Sequence, residues 1–220
     1  GTDTADMPPE AFMRISGTGL VTPKGQKFFI QGTNLGNWLN PEGYMFGFSK
    51  TNSPGRINQM LCEMVGPDFT AEFWKAFKDN YITREDVQFI KNTGANTIRL
   101  PFHYKLFTDE DFMGLTANQD GFARVDSVVE WCREADLYLI LDMHDAPGGQ
   151  TGDNIDDSYG YPWLFESETS QQLYCDIWRQ IADRYKNEPV ILGYELFNEP
   201  IAPYFPNMEE LNGKLEDIYK

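Results

Sequence analysis

The stretch Tyr138-Leu-Ile-Leu-Asp-Met-His144 is an almost unbroken apolar run that ends in polar residues. Strands that are covered on both faces have this composition, which is typical of parallel sheets. A second run of the same kind, VILGYELFN, occupies residues 190–198 and is followed by Glu199 and Pro200. The sequence therefore predicts two buried parallel strands, over residues 138–144 and 190–198.

Further strands and helices alternate around these two runs. The segments FFIQGTN (28–34) and NTIRL (96–100) predict two earlier strands, the second ended by Pro101, and a small hairpin is expected over 13–27 with its turn at 23–25. Thr83 and Asp86 resemble a capping box, and Gly94 fits the end of the helix that follows. Apolar residues at helical spacing predict three more helices, before Ala135, before Lys186 and from Met208 to Lys220.

Alternating strands and helices form either an open doubly wound sheet or a closed barrel. No phosphate-binding glycine pattern follows the first strand, and polar residues close each predicted strand: Asn34, Arg99, His144 and Asn198. A barrel gathers its reactive groups from several strand ends onto one rim. We predict an α/β fold of the (β/α)₈ TIM-barrel type, to which this chain supplies about the first four β/α units. We expect a single domain over 1–220, with a leading segment and hairpin (1–27) before the β/α units (28–220).

The composition narrows the range of partners. A net charge of −16 disfavours nucleic acids and anionic membranes, and no apolar run approaches the roughly 20 residues of a membrane helix. The three cysteines show no CxxC spacing and are expected to be buried free thiols. Asp142, Asp145 and the two histidines, His103 and His144, could be metal ligands, but no HxH or HExxH pattern occurs, so we expect no metal or other cofactor.

The chemistry predicted for this chain lies at the strand ends. Glu199 would lie at the partly desolvated rim of an apolar strand, where a carboxyl group can keep a proton to donate, and Asn198 beside it could hold a substrate hydroxyl. Arg99 needs a carboxylate partner, either to orient a catalytic acid or as a structural ion pair. His144 could donate a hydrogen bond to a sugar hydroxyl or be a structural histidine.

Aromatic residues in loops point to a sugar as the ligand. Glu42 lies among aromatic side chains in the loop after the first strand: Trp38, Tyr44, Phe46 and Phe48. The segment 153–165 (DNIDDSYGYPWLF) repeats this mixture of rings and carboxylates. Sugars present apolar C–H faces ringed by hydroxyls, which aromatic platforms with interspersed polar groups fit well.

Four segments in this order resemble glycoside hydrolase family 5, and within it the branch of the exo-β-1,3-glucanases: GTNLGNWLNPEGYMF (32–46), NTIRLPF (96–102), LILDMHDAPGGQTG (139–152) and ILGYELFNEP (191–200). The resemblance implies that Glu199 is the acid/base and that Asn198 contacts the 2-hydroxyl of the sugar. It places Arg99 beneath the nucleophile and His144 and Glu42 in the subsite of the non-reducing sugar. From the aromatic loop around Glu42, we expect Trp38 to be a further substrate contact. Asn37 and Asp145 stand where the family pattern has glycine.

The resemblance implies a retaining β-glycosidase that hydrolyses β-glucan or β-glucoside bonds with two carboxylates. The family's nucleophile lies on the seventh strand. After Glu199, this chain offers only acidic residues on its last predicted helix: Glu209, Glu210, Glu216 and Asp217.

We therefore expect the nucleophile and the other half of the barrel to come from outside the chain. Their source would be the remainder of the polypeptide, a second chain, or a second copy of a half-barrel. The alternative is a non-catalytic carbohydrate-binding protein on an incomplete barrel. The expected partner is a β-linked oligo- or polysaccharide, which implies a secreted or periplasmic protein.

Overall fold

The computed structural model describes residues 7–114, 120–153, 155–200 and 205–220. Seven strands lie in these ranges: β1 (Arg14–Ser16), β2 (Gly19–Val21), β3 (Lys27–Phe28), β4 (Gly32–Asn34), β5 (Thr97–His103), β6 (Tyr138–Asp145) and β7 (Ile191–Glu195). Six α-helices accompany them: α1 (Pro54–Val65), α2 (Pro67–Asn80), α3 (Arg84–Asn92), α4 (Asp120–Ala135), α5 (Glu168–Tyr185) and α6 (Met208–Tyr219). Strands β4 to β7 form one parallel sheet in sequence order, and β1 to β3 form a small antiparallel sheet.

The two faces of the parallel sheet differ in character. Phe102 on β5 contacts Trp178 of α5 through their rings, 5.9 Å apart, so alternate residues of β5 face the covering helices. The intervening residues, which include Arg99 and His103, face the other side of the sheet because side chains alternate along a strand. One face therefore supplies the apolar core, and the other carries the charged residues.

Pro101 does not end β5, contrary to the sequence prediction. The strand continues to His103, and Pro101 lies opposite Asp142 of β6. The Arg99 carbonyl and the His103 amide both bond to the segment after β4, so Pro101 faces that same side. A proline is tolerated there because the segment after β4 bonds to Arg99 and His103, two residues before and after Pro101. It needs no amide hydrogen at Pro101 itself.

The N-terminal strands also differ from the prediction. Residues 28–34 were expected to form one strand, but Phe28 pairs with Leu20 in the antiparallel sheet and only Gly32–Asn34 joins the parallel sheet. The expected turn after Val21 is present, since the Thr22 amide bonds to the Gln26 carbonyl, and a second turn joins β1 to β2. Helices α1 and α2 were not predicted.

Helix α3 begins and ends as the sequence predicted. The Thr83 amide donates to Asp86 Oδ2 at 2.8 Å within a complete capping box, and Gly94 takes a left-handed φ of 95° just after the helix. The predicted helices before Ala135, before Lys186 and from Met208 correspond to α4, α5 and α6. Among the described helices, none is long and apolar enough to cross a membrane.

Candidate active site

The carboxyl ends of the parallel strands surround a pocket of about 310 Å³. Its lining combines residues of β4, β5 and β6, the loop after β4, the chain after β7 and Ile155: Asn34, Gly36, Glu42, Tyr44, Met45, Arg99, Pro101, His144, Ile155, Asn198 and Glu199. Five of the six residues that the sequence singled out for catalysis or substrate binding therefore meet in one place. They meet because the ends of parallel strands lie at the same edge of the sheet.

Arg99 is the centre of an ion network beneath this pocket. Its Nε and Nη2 donate to the two carboxylate oxygens of Glu195 at 2.6 and 2.7 Å. Nη2 also lies 3.0 Å from Asn198 Oδ1 and 3.0 Å from Asp142 Oδ2. Burial alone would lower the pKa of Arg99, but Glu195 and Asp142 raise it above its ordinary value. The guanidinium is therefore a fixed positive charge that ties β5 to β6 and to the chain after β7.

The backbone that carries Glu199 is held in an unusual conformation. Glu199 has a φ of 41°, which is uncommon for a residue with a side chain. Gln150 Nε2 donates to the Asn198 carbonyl at 2.9 Å, and the Asn198 amide bonds to the Met143 carbonyl. Strained backbone of this kind persists only where the surroundings determine it, and it is concentrated at functional sites. These contacts aim the Glu199 carboxyl group into the pocket.

Glu42 and His144 approach the pocket from the side of the first loop. Asn37, with a left-handed φ of 62°, accepts the Glu42 amide hydrogen at its Oδ1 at 2.8 Å. Asparagine adopts this conformation more readily than most residues, which explains how it replaces the glycine of the family pattern. His144 Nε2 lies 3.7 Å from Glu42 Oε1, and its Nδ1 lies 2.7 Å from Asp142 Oδ2.

The pocket favours protonation of one of its carboxyl groups. Burial raises the pKa of Glu42, and the nearby Glu199 adds to the rise, whereas His144 and Arg99 oppose it. The negative charges of Glu42 and Glu199, together with partial burial, raise the pKa of the Tyr44 hydroxyl. Glu199 therefore lies close enough to act on the charges of Glu42 and Tyr44.

Trp38 lies in the core and not at the pocket. Its side chain has no exposed surface, and its indole Nε1 donates to the Lys78 carbonyl at 2.9 Å. A fully buried ring cannot contact a substrate, so the predicted substrate contact of Trp38 is wrong. The loop signal misled because the ring packs beneath the loop, near Trp131 of α4 at 6.4 Å.

The other rings of the first loop divide between core and pocket. Phe46 stacks on Phe48 and also packs against Phe77 of α2, both at 5.6 Å between ring centroids. Tyr44 is 67% exposed and lines the pocket. In the second aromatic segment, of which residue 154 lies outside the described ranges, Tyr159 is 95% exposed, and Tyr161 packs against the half-exposed Trp163.

Asp142 and Glu195 are the two site residues whose roles the sequence reasoning missed. The sequence suggests only a possible metal ligand for Asp142, and Glu195 lies within the apolar run that predicts a strand over 190–198. Both form ion pairs with Arg99, and Asp142 also bonds to His144. The signal was present in the strand alternation, since Asp142 and His144 are two residues apart and therefore share a face.

A second carboxylate–histidine cluster lies beside the pocket. His103, Asp145 and Asp157 bring one nitrogen and two oxygens within 4.8 Å of one another, a spacing that could hold a metal ion. However, the Lys105 amide donates to His103 Nδ1 at 3.1 Å, so in a neutral ring the proton resides on Nε2. Nε2 then donates to Asp157 Oδ2 at 2.8 Å and offers no lone pair to a metal. This bonding fits a metal ion poorly.

A larger groove of about 830 Å³ lies elsewhere, between β4 and α3. Its acidic side chain, Asp86, already serves the capping box of α3, and its exposed ring is Phe89. No histidine or arginine is among its described lining residues. The candidate catalytic residues therefore line the smaller pocket at the strand ends and not this groove.

Comparison with known proteins agrees with this geometry. The sequence model of the cellulase family, glycosyl hydrolase family 5, matches residues 57–207. A β-xylosidase of Phanerodontia chrysosporium is 33% identical over 198 residues, which are 88% of this chain and 40% of that protein. Endoglucanase C of Acetivibrio thermocellus is 37% identical over 131 residues, which are 60% of this chain and 36% of that protein. A glucan 1,3-β-glucosidase of Kluyveromyces lactis is 26% identical over 88% of this chain and 46% of that protein.

The chain thus spans less than half the length of these curated relatives. Among solved structures, rutinosidase from Aspergillus niger superposes with a TM-score of 0.63 and 23% identity, over 79% of this chain and 49% of that one. An endogalactoceramidase superposes with a TM-score of 0.64 and 17% identity, over 94% of this chain and 48% of that one. These likenesses confirm the predicted fold class, with four parallel strands of a TIM barrel in this chain. The chain belongs to glycosyl hydrolase family 5, the cellulase family.

Proposed function

We propose that the protein is a retaining β-glycosidase that acts on β-glucan or β-glucoside bonds, with Glu199 as its acid/base. The observation that carries the proposal is the convergence of Glu199, Asn198 and Arg99 with His144 and Glu42 around one pocket. A pocket that joins a proton donor, an amide and further hydrogen-bonding groups suits a sugar whose glycosidic oxygen must be protonated.

The reaction would proceed by double displacement. In the first step, Glu199 donates its proton to the glycosidic oxygen while a nucleophilic carboxylate forms a bond to the anomeric carbon and the leaving alcohol departs. In the second step, Glu199 takes a proton from water, whose oxygen bonds to the same carbon and releases the carboxylate. Asn198, held by Arg99, would hydrogen-bond the sugar 2-hydroxyl. His144 and Glu42 would bind the hydroxyls at the opposite side of the pocket.

We propose that the nucleophile comes from outside residues 1–220. Glu42, the other carboxyl group in the described pocket lining, lies in the loop after β4 with its Oε1 3.7 Å from His144 Nε2, whereas the resemblance places the nucleophile on the seventh strand. Glu195 is held by both nitrogens of the Arg99 fork and does not line the pocket. Within the described residues, β4 and β7 each pair on one side only, which leaves room for further strands of a barrel. Those strands would come from the remainder of the polypeptide or from a second chain.

The substrate class follows from the pocket's surroundings. Tyr44 is an exposed ring in the pocket lining, and the 155–165 segment, whose Ile155 also lines the pocket, carries two further exposed rings, Tyr159 and Trp163. Such rings can stack on successive sugars of a chain. The names of the relatives, an endoglucanase and a glucan 1,3-β-glucosidase, point to the same class. Because polymeric glucans are found outside cells, we also propose that the protein is secreted or periplasmic.

The experiment compares the protein with its Glu199→Gln variant on β-1,3-glucan, β-1,4-glucan and phenyl β-glucoside. We expect hydrolysis with retained β configuration, measured by NMR of the first product, and its loss by about 10²- to 10⁴-fold in the variant. Binding of the substrate, followed by calorimetry, should be largely preserved. Glu209→Gln on α6, an exposed carboxylate that is not among the residues lining the pocket, is the matched control and should retain full activity.

Two results would contradict the proposal. Unchanged turnover in Glu199→Gln would remove Glu199 from the mechanism. Binding of β-glucan without any hydrolysis by the unmodified protein would favour the alternative of a carbohydrate-binding protein on a barrel that has lost its catalysis.

A further inference from the structure

Asp142 lies at the centre of the parallel sheet, directly below the pocket. Its position on β6 pairs with Pro101 on β5 and with Glu195 on β7. Its side chain has no exposed surface, so its charge depends wholly on protein partners. An unpaired buried carboxylate is costly, and the contacts of this one therefore determine how its neighbours are arranged.

A single oxygen of Asp142 holds two residues of the pocket. Its Oδ2 lies 2.7 Å from His144 Nδ1 and 3.0 Å from Arg99 Nη2. Its Oδ1 is also buried and has no hydrogen-bond partner among the described residues. Arg99 Nη2 donates its hydrogens to Glu195 and Asn198 and forms an ion pair with Oδ2, and its positive charge favours the ionised carboxylate. Burial raises the pKa of Asp142, whereas His144 and Arg99 oppose that rise.

This arrangement selects the tautomer of His144. An ionised carboxylate can only accept, so Nδ1 of His144 must carry the hydrogen that it donates to Asp142. Nε2 of the neutral ring is then an acceptor, directed towards the pocket and 3.7 Å from Glu42 Oε1.

We propose that Asp142 is a positioning residue of the active site, which fixes the tautomer of His144 and anchors Arg99 through one oxygen. Through Arg99, it also acts on Asn198, whose Oδ1 accepts from the same Nη2. Asp142 does not line the pocket and acts only through these neighbours. Its effect on turnover rests on the proposed glycosidase function, whereas its effect on His144 does not.

The chain is well suited to a direct test because it contains only two histidines. Nitrogen-15 NMR of the imidazole rings distinguishes the hydrogen on Nδ1 from that on Nε2. We expect His144 to carry it on Nδ1 and His103 to carry it on Nε2, since His103 Nδ1 accepts from the Lys105 amide. Each ring is thus an internal reference for the other.

The variant for this test is Asp142→Asn, which keeps the shape of the side chain. Its oxygen carries no negative charge and its amide nitrogen can donate, so the side chain no longer requires His144 Nδ1 to carry the hydrogen. We expect the His144 signals to shift to a mixture of tautomers. We also expect kcat/KM on phenyl β-glucoside to fall by about 10- to 100-fold, the effect of one lost hydrogen bond to a charged group. Asp145→Asn, three residues along the same buried strand but bonded outside this network, is the matched control and should change neither.

The outcomes separate this proposal from the glycosidase proposal. Unmodified protein with the His144 hydrogen on Nε2 would overturn the positioning role, even if Asp142→Asn failed to fold. Unchanged His144 signals and kcat/KM within twofold in Asp142→Asn would overturn it as well. The expected tautomers in a protein without glycosidase activity would support the role of Asp142 and refute only the proposed function.

Discussion

Replacing Arg99 by methionine tests whether the ion network beneath the pocket stabilises the fold. Methionine keeps much of the volume of the side chain but removes four contacts, of which two are to Glu195 and one each to Asp142 and Asn198. Breaking a fully buried ion pair costs about 3–5 kcal/mol because it leaves an uncompensated charge. Here the partners differ, since the side chain of Asp142 has no exposure whereas that of Glu195 is 38% exposed.

Burial decides which of these contacts matters most. The Glu195 pair has the shorter, forked geometry, but solvent can screen and rehydrate Glu195 after the loss of Arg99. Asp142 cannot be rehydrated without a rearrangement of the sheet. We therefore expect Arg99→Met to lower the free energy of unfolding by about 3 kcal/mol, mostly through the stranded Asp142.

The assay is urea unfolding followed by circular dichroism, in a double-mutant cycle. Asp142→Asn should recover about 2 kcal/mol in the Arg99→Met background, whereas Glu195→Gln should recover less than about 1 kcal/mol. A loss below about 1 kcal/mol in Arg99→Met, or a larger recovery from Glu195→Gln than from Asp142→Asn, would refute the reasoning from burial.

Two further predictions concern residues of the core. Trp38→Phe should lower the free energy of unfolding by about 1–2 kcal/mol, because it removes a hydrogen bond and leaves a cavity, and it should leave KM unchanged. A raised KM with unchanged stability would show that Trp38 contacts the substrate after all. Burial lowers the pKa of Lys78 from 10.5 to about 8, so the unfolded state binds more protons between these values and stability rises with pH. Urea unfolding gives the free energy of unfolding of Lys78→Met and of the unmodified protein. The variant's value minus the unmodified protein's value should fall by about 2 kcal/mol between pH 7 and pH 9.5, because only the unmodified protein gains stability from Lys78. A difference that does not change with pH would contradict the lowered pKa.

The sequence was sufficient to predict the parallel strands and the rim of the pocket. The runs at 138–144 and 190–198 are almost unbroken apolar segments and contain β6 and β7, although β7 already ends at Glu195 and β5 continues past Arg99 to His103. Once the strands are parallel, their carboxyl ends converge by geometry alone. This argument required no knowledge of side-chain packing, which is why it succeeded.

The predictions that failed depended on tertiary contacts. A proline ends a strand only where the neighbouring strand needs an amide hydrogen at that position. Whether the segment beside Pro101 needs one depends on the tertiary structure. An aromatic ring in a loop can serve the core or the surface, and the sequence around Trp38 does not show which. Helices α1 and α2 were missed although Pro54 and Pro67 mark their first positions and Ile57, Met60 and Leu61 have helical spacing.

The most direct test of the account measures how the leaving group changes the effect of Glu199→Ala. A proton donor is needed when the departing alcohol is weakly acidic, as in phenyl β-glucoside, and is hardly needed for a dinitrophenyl β-glucoside. Because kcat/KM reports the first bond-breaking step, the account predicts a loss of about 10²- to 10⁴-fold on the phenyl substrate and a much smaller loss on the dinitrophenyl one. Equal losses on the two substrates would contradict the assignment of Glu199 as the acid that protonates the leaving oxygen.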